Sequence, residues 1–261
     1  MSDSPPPDPW QPLRCLTAAR IALGRTGGSL PTRELLDFRL AHARARDAVL
    51  CPFDAPALAG RLRPIMGADE VICVETAAAT QAEFLRRPDL GRSLADASRV
   101  RLAKHPAAAH HGGRCDLAII ISNGLSSLAA TEQVAPLLAS LIPLARRNAW
   151  TLAPLIVATN GRVALQDEVG SLLGARLSLM LLGERPGLGA PNSLGAYFTY
   201  SPEPGRTDAG RNCVSNIRPD GLSPVQAAYK LCHLLSQSLH RRLSGVELKD
   251  DAHECLTWTD R

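Results

Sequence analysis

Between residues 115 and 182 the chain alternates unbroken apolar runs with stretches of helical periodicity, and this pattern leaves few folds open. The runs are CDLAIII (115–121), APLIVAT (153–159) and RLSLMLL (176–182). A strand that is apolar along its whole length has no face to offer water, so both of its sides must be covered. The segments between the runs, SLAATEQVAPLLASLIPLARR and QDEVGSLLGA, repeat their apolar residues at helical spacing and supply the cover. The expected fold class is therefore α/β, with a mainly parallel sheet and helices on both faces. SLGAYFTYS alternates and predicts a further strand, and LSPVQAAYKLCHLLSQSLHRRLSG a last helix, with Ser223 and Pro224 at its start and Gly245 at its end. Ligands of such sheets bind beyond the carboxyl ends of the strands, where the loops 122–126, 160–163 and 183–189 converge.

The first half is less regular. Residues 1–13 are proline-rich and read as a loose arm. TRELLDFRLAHARARDAV (32–49) predicts a helix from Leu35, Leu36, Phe38, Leu40 and Ala43, opened by Pro31 and Thr32 with Glu34 in its first turn. EVICVET predicts a short strand, RPDLGRSLADASRVRLA a helix after Pro88, and HPAAAHHGG (105–113) a linker.

Composition narrows the function classes. With 45% of the 261 residues hydrophobic and only 4% aromatic, the core must be built from Leu, Ala, Val and Ile. A net charge of +4 is too small to argue for nucleic acid. No unbroken apolar stretch reaches the roughly 18 residues of a membrane span. MSDSPPPDPW has neither the basic start nor the apolar middle of a secretory signal. Seven cysteines without a C-x-x-C pair suggest a reducing, cytoplasmic setting with mostly buried thiols.

Catalytic signatures are missing. GRTGGS (24–29) lacks the Lys-Ser/Thr ending of a phosphate loop, and the glycines of GERPGLG do not fall as G-x-G-x-x-G. GLSSL is no nucleophile elbow. His110 and His111 near Cys115 make a poor metal set, since glycines separate them from a predicted strand. Two segments stand out. LLGERPGLG (181–189) ends a buried strand on a rigid corner, where Glu184 could anchor the loop through an arginine or accept hydrogen bonds from a ligand's amides. RNCVSNIRPDGLS (211–223) carries Cys213, which has no local histidine to activate it and reads as a packed cysteine beside a ligand. The residues alone thus point to an α/β domain that binds a bulky ligand without a self-contained catalytic set.

The order of RIALGRTGGSLPTRELLDFRLAHARARDAV, FLRRPDLGRSL, ISNGLSSLA, NGRVALQDEVGSLLGARL, LLGERPGLGAPNSLGAYFTYSP, RTDAGRNCVSNIRPDGLSPVQAAYKL and RRLSGVELKD resembles the small subunit (light chain) of ethanolamine ammonia-lyase, over residues 15–250. The resemblance implies a subunit of an adenosylcobalamin-dependent lyase that converts ethanolamine to acetaldehyde and ammonia by radical chemistry. It also implies that the chemistry resides on a large TIM-barrel subunit, in an assembly of six large and six small chains, with no nucleic acid and no membrane. The small chain would comprise the arm 1–13, a mostly helical N-terminal region 14–110 and a Rossmann-like cobalamin-binding domain 111–261. Val163 in NGRV would pack on the cofactor, Glu184 in GERPG would accept hydrogen bonds from it, and Cys213 in RNCVSNI would touch it; no residue of this chain would be catalytic or bind a metal. Arg185 would brace the corner or reach the large subunit.

There are departures. Asn123 stands where an aspartate is expected, and residues 50–80 match no motif of the family. The arm is shorter than those that address relatives to a bacterial microcompartment, so the expected location is the cytoplasm or such a compartment. Two other readings differ in class: a free-standing nucleotide-using enzyme, which needs a phosphate loop and a base in one chain, and an assembly protein whose loops serve only protein contacts.

Overall fold

A computed structural model describes residues 8–67, 70–105 and 115–250. The proline-rich start, most of the predicted linker with His110 and His111, and the tail with His253, Glu254 and Cys255 lie outside the described residues. The predicted apolar runs are strands: β1 (Val71–Glu75), β2 (Cys115–Ser122), β3 (Leu155–Thr159) and β4 (Ala175–Gly183), followed by β5 (Leu194–Tyr200) and β6 (Asn212–Ile217). The helices are α1 (Thr32–Leu50), α2 (Ala55–Met66), α3 (Gln81–Arg86), α4 (Asp96–Ala103), α5 (Ser127–Arg147), α6 (Leu165–Leu172) and α7 (Pro224–Arg241).

The strands form one sheet in the order β1-β3-β2-β4-β5-β6. The first four are parallel, whereas β5 runs antiparallel to β4 and β6 antiparallel to β5. The fold is α/β as expected, but the sheet is mixed. The difference lies in the connections: the crossovers between parallel strands contain α-helices, while residues 184–193 and 201–211 are hairpin-like links without one. EVICVE, from before the predicted linker, lies at the sheet edge, with Val71 opposite Leu155.

Alternating residues build two cores. On one face Leu117, Ile119, Leu179, Leu181 and Phe198 pack under α2, α5 and α7. On the other, Ala118, Ile120, Ile156, Met180 and Leu182 pack under α4 and α6 through Leu102, Leu165 and Val169. At 21 residues α5 is long and apolar enough to cross a membrane by composition, but half of that apolar window is buried inside this fold. Its first turn is capped by Ser126, whose Oγ accepts from Ala129 N at 3.2 Å. Ser223 and Gln226 form a capping box at the start of α7, as do Thr80 and Glu83 at α3.

The second face is covered unequally. α6 has only eight residues and lies over β2 and β4. No described helix covers the same face of β5 and β6. Tyr197 stays half-exposed in β5, and its cross-strand neighbour Cys213 is exposed in β6.

Candidate functional site

The uncovered patch is the floor of a cavity of about 680 Å³. Tyr197 and Cys213 form the floor, Arg162, Val163 and Ala164 one wall, and residues 206–208 with Arg211 another, while Pro88 and Arg92 close the rim. Cavities that enclose drug-sized ligands span roughly 300–1,000 Å³, so this one holds only an edge of anything as large as a corrinoid.

Each wall is fixed by groups away from the cavity. The 160–164 loop leaves β3 through Asn160, whose backbone is left-handed at φ 61. Asn123 holds it there: its Oδ1 accepts from Asn160 N at 2.7 Å and from Ser122 Oγ at 3.1 Å. Ser122 Oγ also accepts from Gly161 N at 2.8 Å, and Asn160 Nδ2 donates to Ala78 O at 3.0 Å. Asn123 is only 3% exposed, and its amide pairs with no charge. An asparagine serves here because the site supports a loop.

The opposite wall is pinned by a buried ion pair. Arg211 Nη1 meets Asp167 Oδ1 at 2.6 Å and Nη2 meets Oδ2 at 2.7 Å, with both side chains almost fully buried. The same guanidinium donates to Thr199 Oγ1 at 3.3 Å and to Arg206 O at 2.8 Å, which ties α6, β5 and the 201–211 link together. A bidentate fork with extra acceptors is the geometry in which such a pair is tolerated inside a protein.

The Gly-rich corner divides. Gly183 ends β4 because nothing larger fits: a Cβ there would stand 2.1 Å from Ser126 O and 2.4 Å from Asn123 O, and Leu125 N donates to Gly183 O at 2.9 Å. Glu184 then turns back over β5. Its Oε2 accepts from Ser193 Oγ at 2.5 Å and from Asn216 N at 3.3 Å, while Oε1 lies over Gly195 beside Tyr197. A Cβ on Gly195 would be 2.9 Å from the Tyr197 ring and 3.0 Å from Oε1, so the glycine keeps this acceptor open. The tip, Leu188 and Gly189, faces away from the patch, against Arg20, Asp37 and Arg44 around a second cavity of about 450 Å³.

Of the predicted residues, Val163 and Cys213 line the cavity and Glu184 borders it behind Tyr197. The loop 122–126 supports the site from within. Tyr197, Arg162, Arg92 and the Asp167–Arg211 pair escaped the sequence reading. Tyr197 was available from the alternation of LGAYFTY, which places Gly195, Tyr197 and Thr199 on one face.

Loss of water raises the Cys213 thiol above its ordinary pKa, and the Glu184 charge adds to the rise, so it is no activated nucleophile. Tyr197 is likewise raised, first by burial and then by Cys213 and Glu184. Arg162 is lowered, by burial first and then by the charges of Arg92 and Arg185. Among the described residues no three of His, Cys, Asp and Glu are grouped to hold a metal ion.

Known proteins share this chain nearly end to end. The family model described as ethanolamine ammonia-lyase light chain (EutC) matches residues 7–249. The ethanolamine ammonia-lyase small subunit of Pseudomonas aeruginosa (strain LESB58) is 51% identical over 252 residues, 97% of this chain and 91% of that protein. That of Azotobacter vinelandii (strain DJ / ATCC BAA-1303) is 52% identical over 254 residues, 97% and 93% respectively. The protein of the same name from Pseudomonas putida (strain W619) is 51% identical over 247 residues, 95% and 89%. With a family model matching residues 7–249 and relatives about half identical over almost the whole length, this α/β chain belongs to the ethanolamine ammonia-lyase small-subunit family and is a subunit of that lyase.

Proposed function

We propose that this chain forms one side of an adenosylcobalamin site whose other side is the catalytic large subunit, in an enzyme that deaminates ethanolamine to acetaldehyde and ammonia. The observation that carries the reading is the uncovered face of β5 and β6, with Val163, Glu184 and Cys213 around it. The cavity is open and too small to enclose a corrinoid, which suits a site completed by a second protein.

The residues fit the cofactor. Its periphery is a ring of neutral carboxamides on an apolar macrocycle. Val163 offers apolar contact, and the open Oε1 of Glu184 accepts an amide N–H while Ser193 and Asn216 hold the carboxylate in place. The Cys213 thiol stays neutral and adds a soft, weakly polar surface. When bound, adenosylcobalamin supplies the radical that starts the reaction. This chain's part is to bind, orient and exclude water, and it is expected to be inactive alone. The proposal extends to a Rossmann-like cobalamin-binding domain behind a mostly helical N-terminal region. It also extends to six large and six small chains, in the cytoplasm or a bacterial microcompartment, using ethanolamine as nitrogen and carbon source.

The test is co-expression with the large subunit from the same genome and an assay of adenosylcobalamin-dependent acetaldehyde release, with each subunit alone as control. Activity is expected only from the mixture. Glu184→Ala removes about one charge-assisted hydrogen bond and should weaken the apparent cofactor constant about ten- to a hundredfold. Full activity of the large chain alone would leave this chain an assembly protein.

A further inference from the structure

Among the described residues, two arginines at the cavity, with a third close by, have no carboxylate partner of their own. Arg92 and Arg162 both line it, and Arg185 is near enough to act on Arg162 by charge. None of the three forms an ion pair among the described residues, although seven other arginines there do. Glu184 forms no ion pair with them among the described residues; its Oε2 accepts from Ser193 and Asn216. Asp208, also at the cavity, is paired with Arg211.

Arg162 is not a loose surface side chain. Its Nη2 donates to Phe84 O at 2.9 Å, and its guanidinium carbon sits 4.0 Å from the centre of the Phe84 ring. Its Nε is buried and has no hydrogen-bond partner. A guanidinium held by stacking, with a donor left over and two like charges beside it, lacks an anion.

We propose that Arg92, Arg162 and Arg185 form a subsite for a phosphate group, and that in the assembled enzyme it takes the phosphodiester of the cofactor's nucleotide tail. This rests on the cofactor reading above. The tail phosphate is the only anionic group of a cobalamin, whose other peripheral groups are neutral amides. Glu184 repels it and accepts amides, while the arginines attract it, so the two features together fix which way round the cofactor lies.

The experiment uses the complex with the large subunit. Adenosylcobinamide phosphate and adenosylcobinamide differ by the phosphate alone, and binding of each is read from the absorbance spectrum. The native complex is expected to prefer the phosphate compound by at least about tenfold. Inorganic phosphate should compete with it and leave adenosylcobinamide unaffected. Arg162→Gln should abolish the preference without changing adenosylcobinamide binding. The pair Arg92→Gln, Arg185→Gln, which alters only exposed side chains, should reduce it even if the first variant folds poorly. A complex that binds adenosylcobalamin but shows no preference overturns the subsite and leaves the cofactor reading standing. A complex that binds no adenosylcobalamin overturns both. Loss of subunit assembly in the exposed pair would make the arginines a protein contact and also overturn the subsite.

Discussion

Gly183 shows how a single position was legible for one reason and occupied for another. The glycine in GERPG reads as room for a ligand, yet the space is taken by the backbone of residues 123–126. Gly183→Ala should therefore cost about 1–3 kcal/mol or more in denaturant unfolding, while Gly189→Ala, with nothing within 4 Å of its Cβ, should be near neutral. Cys213 was singled out by its motif, and its titration follows from its surroundings. Its raised pKa keeps it a thiol at neutral pH, so alkylation by iodoacetamide should be slow there and accelerate only above the usual thiol range of about 8.5. Adenosylcobalamin bound to the complex should slow it further, and fast labelling at pH 7 would contradict this assignment. The cationic rim was not legible, because Arg92, Arg162 and Arg185 come from three separate segments and none belongs to a charged run.

At the scale of elements, the apolar runs could be read directly, since a strand buried on both faces can hardly be written otherwise. β6 could not. In NCVSNI only Val214 and Ile217 are buried, and an edge strand with one wet face carries a weak signal. The helix α1 was placed almost to the residue, but its large apolar side chains Leu36, Phe38 and Leu40 are exposed and its buried residues are Ala41 and Ala48. The link 201–211 looks like a mere loop in sequence, while the structure makes it a wall through one ion pair. Asp167→Asn leaves the buried Arg211 with only the exposed Asp208 as counter-charge and should cost about 3–5 kcal/mol in unfolding free energy. Replacing both residues with apolar ones of similar volume should cost less than the single change, and a double-mutant cycle by denaturant melts reads the difference.

The whole molecule is built to be completed. No described helix lies over Tyr197 and Cys213, and α1 leaves Leu36 and Phe38 exposed among the described residues. Monomeric proteins seldom leave such surfaces uncovered. Leu36→Glu with Phe38→Glu is expected to weaken association with the large subunit in size-exclusion chromatography, while the melting temperature of this chain shifts little. An equal loss of thermal stability would place α1 within this chain's own core. The sequence singled out a glycine-rich corner at the end of a buried strand. That the gap in the cover would lie over the two antiparallel strands was beyond it, since strand direction is settled by the length of the links.

The edge strand β1 has a further consequence, in time. Val71–Glu75 lies against Leu155–Thr159 and, among the described residues, has no other strand beside it. On the ribosome the first half of the chain therefore emerges before the strand it must join exists, and α2, which packs under that edge, waits with it. Closure of this edge is a long-range event that sets a late step of folding. Fragments ending before Leu155 should lose more than β3, because everything N-terminal to it would be synthesised with no sheet to join.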